Sequence, residues 1–231
     1  MPISQAARDQ MRELIGRYPE PRSALLPMLH LVQAEEGHIT EDGIATCAEL
    51  VDLTPAEVTA VATFYTMYKR HDMGEYHIGV CINPGCGMLG GDELWRIATE
   101  ELEVGNDEVT ADGTFSLERI ECQAACTHAP VVTINWEFMD DQTPESLREH
   151  IATLRAGGEV LSTRGPVIRS FRDTERTLSG YDDGLAAAPA VDDKMLVGLR
   201  AAKARGMAAP KPGAAAAADA AASANGQNGG A

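Results

Sequence analysis

Apolar residues recur at helical spacing through the first seventy positions, then begin to alternate near position 76. That change of period divides the chain. Thr54-Pro55-Ala56-Glu57 reads as a capping box with proline at the first helical position, and Val58, Val61, Tyr65 and Tyr68 continue it as one stripe. Leu25, Leu26, Leu29 and Val32 follow Ser23 and stop at Gly37, a residue suited to a left-handed helix end. Thr40 opens a third helix with Ile44, Cys47, Leu50 and Val51 inward, and a weaker pattern runs from Ser4 to about Tyr18. Short helices with short links predict a small helical bundle over residues 1–71.

Tyr76, Ile78 and Val80 alternate and lead straight into Cys81, the mark of a strand. A glycine-rich turn from Gly85 to Gly91 precedes Leu94, Ile97, Ala98 and Leu102 at helical spacing. Phe115 to Cys122 reads as extended. Val131 to Ile134 and Trp136 to Met139 read as a strand and its return around Asn135. Thr143-Pro144 then starts a helix carrying Leu147, Ile151 and Leu154. The order β-α-β-β-β-α over residues 72–160 predicts an open sheet with helices, so the fold class is α+β or α/β.

Beyond Gly157 the periodicity fades. Residues 161–205 hold Arg164, Arg169, Arg172, Arg176, Arg200 and Arg205 among spaced apolar residues, Val167, Ile168, Phe171, Leu178 and Tyr181. This reads as an extended arm that orders on a partner surface. Residues 206–231, mostly Ala, Gly, Pro and Asn, read as a disordered low-complexity tail.

Charge narrows the function. The 231 residues carry 35 Asp and Glu against 19 Lys and Arg, a formal net charge of −16. Such a chain is a poor partner for nucleic acid or an anionic membrane surface, both of which are polyanionic. No apolar run is long enough to insert in a bilayer, and the N-terminus lacks the basic-then-apolar pattern of a secretory leader. Five cysteines, odd in number and clustered, fit a reducing compartment better than a disulfide scaffold. Residues 72–160 hold 18 acidic and 4 basic side chains, so nearly all the excess lies in the middle third.

The chemistry lies in four of the cysteines. Cys81 and Cys86 form a C-x4-C pair at the end of one expected strand, and Cys122 and Cys126 a C-x3-C pair at the end of another. Two strand-end loops of this kind can converge on one centre. Four soft sulfurs select zinc or an iron–sulfur cluster, and spacing alone leaves [2Fe–2S], zinc and reactive dithiols open. Gly85, Gly87, Gly90, Ala124 and Ala125 leave backbone amides free to approach sulfur. Cys47 reads as a small buried hydrophobe, His128 as a loop residue, His38 as a helix-junction residue, and Trp95 and Trp136 as packing. There is no Ser/His/Asp set, P-loop or GxGxxG, so NADH is not expected to bind this chain itself.

Phe64-Tyr65-Thr66-Met67-Tyr68, the run from Gly74 to Cys86, the run from Thr110 to Glu118, and Cys122-Gln123-Ala124-Ala125-Cys126-Thr127-His128-Ala129-Pro130 carry a resemblance. They are similar to the thioredoxin-like [2Fe–2S] subunits of respiratory complex I, the E subunits of bacterial NADH–quinone oxidoreductases. The likeness spans roughly residues 8–160. Met73 stands where that family commonly has proline, and Gln123-Ala124 where it has Leu-Gly; neither is a ligand position.

The resemblance implies a thioredoxin-like [2Fe–2S] ferredoxin domain in which Cys81, Cys86, Cys122 and Cys126 hold one cluster. It implies FMN and NADH on a partner flavoprotein subunit, a large iron–sulfur subunit as second partner, and a peripheral place on the cytoplasmic side of the inner membrane. Catalysis then belongs to the complex, and the isolated chain has no NADH-oxidising activity. Two alternatives remain at this point: the equivalent subunit of an NAD-linked formate dehydrogenase or bidirectional hydrogenase, and a zinc-stabilised interaction module. The acidic surroundings favour a low reduction potential, since each carboxylate about 12 Å away opposes an added electron by about 0.35 kcal/mol in water-like dielectric.

Overall fold

Side-chain caps decide where the first helices start. Ser4, Thr40 and Thr54 each accept a backbone N–H two to three residues into α1 (Gln5–Ile15), α3 (Glu41–Val51) and α4 (Pro55–Phe64). Between them, a 3-10 turn (Pro21–Ala24) leads into α2 (Leu25–Glu36), which ends at Gly37 with φ 88°. The computed structural model describes residues 3–165, 167–182, 184 and 193–207. Met11, Leu14, Met28, Leu29, Val32 and Cys47 fill the core among the four helices. The stripe expected through Tyr65 and Tyr68 stops at Phe64: Tyr65 is extended, and Tyr68 returns through a turn to donate its hydroxyl to the Leu26 carbonyl.

The second core lies under one face of a five-stranded sheet. Its strands are β1 (Tyr76–Cys81), β2 (Glu108–Val109), β3 (Phe115–Ile120), β4 (Val132–Ile134) and β5 (Glu137–Met139), ordered β2-β3-β1-β4-β5. The β1–β3 pair is parallel and the other pairs are antiparallel. A parallel pair needs a crossover, which here runs through the helical turn α5 (Pro84–Cys86) and α6 (Asp92–Leu102). Thr143 caps α7 (Pro144–Arg155), which packs beside α6. Ile78, Val80, Phe115, Leu117, Val132 and Ile134 meet Leu94, Ile97, Leu147, Ile151 and Leu154. β4 and β5 turn through Asn135 (φ 47°) and Trp136 (φ 70°), both left-handed, as a two-residue hairpin demands. Strand β2, at two residues, is too short to show an alternation in the sequence.

Residues 161–205 depart from the extended arm expected of them. Leu161 and Val167 form a β-bridge, and Ser170 caps α8 (Phe171–Leu178), which packs along α2. Phe171 and Glu175 are buried on that contact. Arg172 donates to the Glu35 carbonyl at the end of α2, Arg176 to Gln10, and the Tyr181 hydroxyl to the Gln10 carbonyl. Arg172, Arg176, Phe171 and Tyr181, four of the residues that suggested a partner surface, are thus engaged by the chain's own first helices. Glu175 is fully buried and satisfied from two sides, by His30 and Gln33 of α2 and by the Trp136 indole N–H at 2.9 Å. A single carboxylate thereby ties the helical bundle to the sheet. Helix α9 (Asp193–Ala204) belongs to a separate unit and buries none of its side chains. From residue 208 the expected tail lies outside the described residues.

Candidate metal centre

The parallel β1–β3 pair explains why the two cysteine-bearing loops leave the sheet at one edge. Cys81 lies opposite Ile120 at the ends of both strands, so both chains leave the sheet at the same edge. Cys81 is the last residue of β1, and Cys122 follows the end of β3 by two residues. Cys86 closes the turn α5, and Cys126 opens a 3-10 turn (Cys126–His128). Val131 steadies this edge by accepting the Cys81 backbone N–H.

The cysteines come in two pairs. Cys122 Sγ lies 3.8 Å from Cys126 Sγ, and Cys81 and Cys86 belong to one buried cluster. A Cβ placed on Gly85 would stand 3.9 Å from Cys126 Sγ, so the two loops are in contact. Gly91 is needed for the same closeness: its Cβ would lie 2.6 Å from the Cys81 carbonyl oxygen. Cys81 and Cys86 are buried with Ile120, Ala125 and Val131, whereas Cys122 and Cys126 face solvent. The site thus has a dry wall and an open side.

Two of the sulfurs, those of Cys86 and Cys126, resist ionising as bare thiolates. Burial pushes the Cys86 thiol up to about 11, with Cys81 and Cys126 adding to it. The hydrogen bond with Cys122 and that residue's charge raise Cys126. A bound cationic centre removes this penalty, because thiolates are its ligands. Among the described residues, no three His, Cys, Asp or Glu side chains gather as ligands of one metal ion. Four cysteines carried in pairs by two loops that touch are the kind of donor set a [2Fe–2S] cluster takes. The residues therefore fit the group.

The other residues singled out from sequence fall elsewhere. Cys47 is buried in the helical bundle, its thiol pushed up to about 12 by burial. His128 is buried rather than loose, with Nδ1 3.0 Å from Asp141, and pins the Cys126 turn to the end of the β4–β5 hairpin. The Ala129–Pro130 peptide is cis. His38 pairs with Asp72 at 2.9 Å, and Arg119 lies over the Trp95 ring at 4.5 Å.

Sequence reading missed the polar face of the sheet. His77 and Cys81 share one side of β1, as Ser116, Glu118 and Ile120 share the matching side of β3. The His77 imidazole is buried between Ser116 Oγ (3.1 Å) and Glu118 Oε2 (2.9 Å), and Lys69 bonds the same carboxylate oxygen. Trp136 closes over the group, 4.9 Å from the His77 ring and 5.4 Å from the Lys69 ammonium. The available signal was parity: His77 sits an even number of residues from Cys81.

Comparisons with known proteins identify the family. The sequence profile of the thioredoxin-like [2Fe–2S] ferredoxin family matches residues 11–155. The E subunit of the NADH-quinone oxidoreductase of Mycobacterium tuberculosis is 49% identical over 211 residues, 88% of this chain and 82% of that protein. NADH-quinone oxidoreductase subunit 2 of Thermus thermophilus is 41% identical over 153 residues, 65% of this chain and 84% of that one. Among solved structures, an NAD+-reducing [NiFe]-hydrogenase superposes with a TM-score of 0.52 at 20% identity, over 58% of this chain and 23% of the hydrogenase chain. That last likeness is one of fold.

Proposed function

The chain belongs to the thioredoxin-like [2Fe–2S] ferredoxin family, among the E subunits of NADH–quinone oxidoreductases, and from that premise we propose that Cys81, Cys86, Cys122 and Cys126 are the ligands of its cluster. The protein is an electron-transfer subunit of an NADH–quinone oxidoreductase. The observation that supports the ligand assignment is the contact of the two cysteine-bearing loops at one sheet edge, with Gly85 and Gly91 permitting the approach.

A [2Fe–2S] cluster held there supplies a site for one electron at a time. The chain's own residues do the rest. Cys81 and Cys86 anchor the buried side, where Ile120, Ala125 and Val131 exclude water. Cys122 and Cys126 hold the solvent-facing side, the side from which an electron has the shortest way in. The partner placed against that side is a flavoprotein subunit carrying FMN and NADH, with a large iron–sulfur subunit of the same complex beside it. No helix among the described residues is long and apolar enough to cross a membrane, which suits a peripheral subunit. Its proposed place is the cytoplasmic side of the inner membrane. The equivalent subunit of an NAD-linked hydrogenase shares the fold, but the near-half identity to the mycobacterial E subunit favours the quinone-reducing complex.

Anaerobic reconstitution of single variants tests the ligand set. Cys81→Ser, Cys86→Ser, Cys122→Ser and Cys126→Ser each weaken or abolish the visible absorption of the cluster, whereas Cys47→Ala retains it. Loss in Cys47→Ala with retention in Cys126→Ser would overturn the assignment.

A further inference from the structure

The sheet face that carries Cys81 also carries buried titratable groups with no part in holding a metal. His77 precedes Cys81 by four residues on the same side of β1, about 13 Å along the strand. Between them Gly79 contributes no side chain. Thr133 Oγ1, buried and without a hydrogen-bond partner, lies 2.7 Å from where a Gly79 Cβ would stand. The Ile120 side chain lies over the same position, so the groups packed at Gly79, between imidazole and cysteine, carry no charge.

The protonation of this group follows from its partners. Burial alone would raise the Glu118 carboxyl, but the hydrogen bond from His77 and the charge of Lys69 outweigh it and hold the group below the usual carboxylate range. An ionised Glu118 only accepts, so His77 Nε2 carries the hydrogen and Nδ1 is the free basic nitrogen, facing the Ser116 hydroxyl. Burial, with Lys69, depresses the imidazole below its ordinary value despite Glu118. His77 is accordingly neutral at pH 7. Asp107, ahead of β2, is the remaining charge that acts on it. The hairpin presents neutral groups, Trp136 and the Asn135 side-chain oxygen that accepts the His77 backbone N–H. From α8, Glu175 reaches the far side of Trp136.

Resting on the cluster assignment above, we infer that His77 takes up a proton at Nδ1 when the neighbouring cysteine site gains an electron. Reduced flavin of the NADH-oxidising complex, or dithionite in a test, gives the electron. Solvent gives the proton, which forms the Nδ1–H bond, and the Ser116 hydroxyl turns from donor to acceptor. An added negative charge about 13 Å away, at an effective dielectric near 20, raises the imidazole's proton affinity about tenfold. By linkage the midpoint potential falls as pH rises through the window between the two affinities and is flat on either side. The total fall is about 59 mV, the one-electron equivalent of a tenfold change.

The test is a redox titration of the cluster-loaded full chain, followed by EPR from pH 5 to pH 8.5. The wild-type potential drops by about that amount as pH rises through the titration of His77. His77→Gln keeps an N–H toward Glu118 and an oxygen toward Ser116 but takes no proton, so its potential is independent of pH across the same window. Glu118→Gln withdraws the carboxylate that favours the cation and moves the window to lower pH. Because either variant could fold poorly, the His77 ring is also followed in the wild type by NMR with labelled histidine. Its midpoint lies about one pH unit higher in the reduced protein than in the oxidised one. A flat wild-type profile, an undiminished slope in His77→Gln, or one His77 midpoint in both states overturns the inference. Failure of the cluster assignment shows separately, as a chain without iron, sulfide or a reducible EPR signal.

Discussion

The two faces of the sheet are built from neighbouring residues of the same strands and do opposite work. Ile78, Val80, Leu117, Val132 and Ile134 turn into a dry core beneath α6 and α7. One position along, His77, Cys81, Ser116, Glu118 and Thr133 turn to the other face. Since side chains alternate, a slip of one residue would exchange the two sets. The apolar face fixes the register that delivers two strand ends, and so two thiol pairs, to one edge. The polar face is then free to carry charge. Stability and chemistry are separated here by a single residue of phase.

Breaking the apolar side has the largest expected effect. Leu117→Ala deletes a fully buried side chain between β1 and α6 and costs about 3 kcal/mol, read as a lower urea midpoint with an unchanged slope. A loss below about 1 kcal/mol would mean that this face does not set the register. The tie between the bundle and the polar side comes next. Glu175→Ala leaves His30, Gln33 and the Trp136 indole N–H without their buried acceptor and costs about 2 kcal/mol. Hydrogen exchange should then quicken in α8 and α2 before it does in β1. Exchange that quickens equally everywhere would make Glu175 an ordinary core residue. The smallest effect belongs far from both faces. Thr54→Ala removes an exposed capping box and costs about 1 kcal/mol, with no change at the cysteines.

The same division explains what could be read from sequence. Thr54-Pro55-Ala56-Glu57 and the Asn135 hairpin are local signals, and both appear in the structure where they were expected. Cys81, Cys86, Cys122 and Cys126 stand out in the sequence as the proposed donor set because they fall in two close pairs after expected strands. Their meeting at one edge depends on the parallel pairing of β1 with β3, which spacing alone does not specify. Helix α8 is hidden in the sequence because its buried face is Phe171 and Glu175, and a buried carboxylate is invisible to an apolar period. Ser170 followed three residues later by Asp173 was the available cue, a cap whose side chain accepts the Asp173 N–H. His77, Glu118 and Lys69 are hidden for the same reason, since their partners come from three distant segments.

Iron and acid-labile sulfide counted together with the EPR of the reduced protein test the central claim most directly. Prepared anaerobically with iron in excess, the chain is predicted to hold two irons and two sulfides, the content of one [2Fe–2S] cluster, and to show a spin-one-half signal after taking up one electron. A colourless protein carrying one zinc and no sulfide under those conditions would contradict the account.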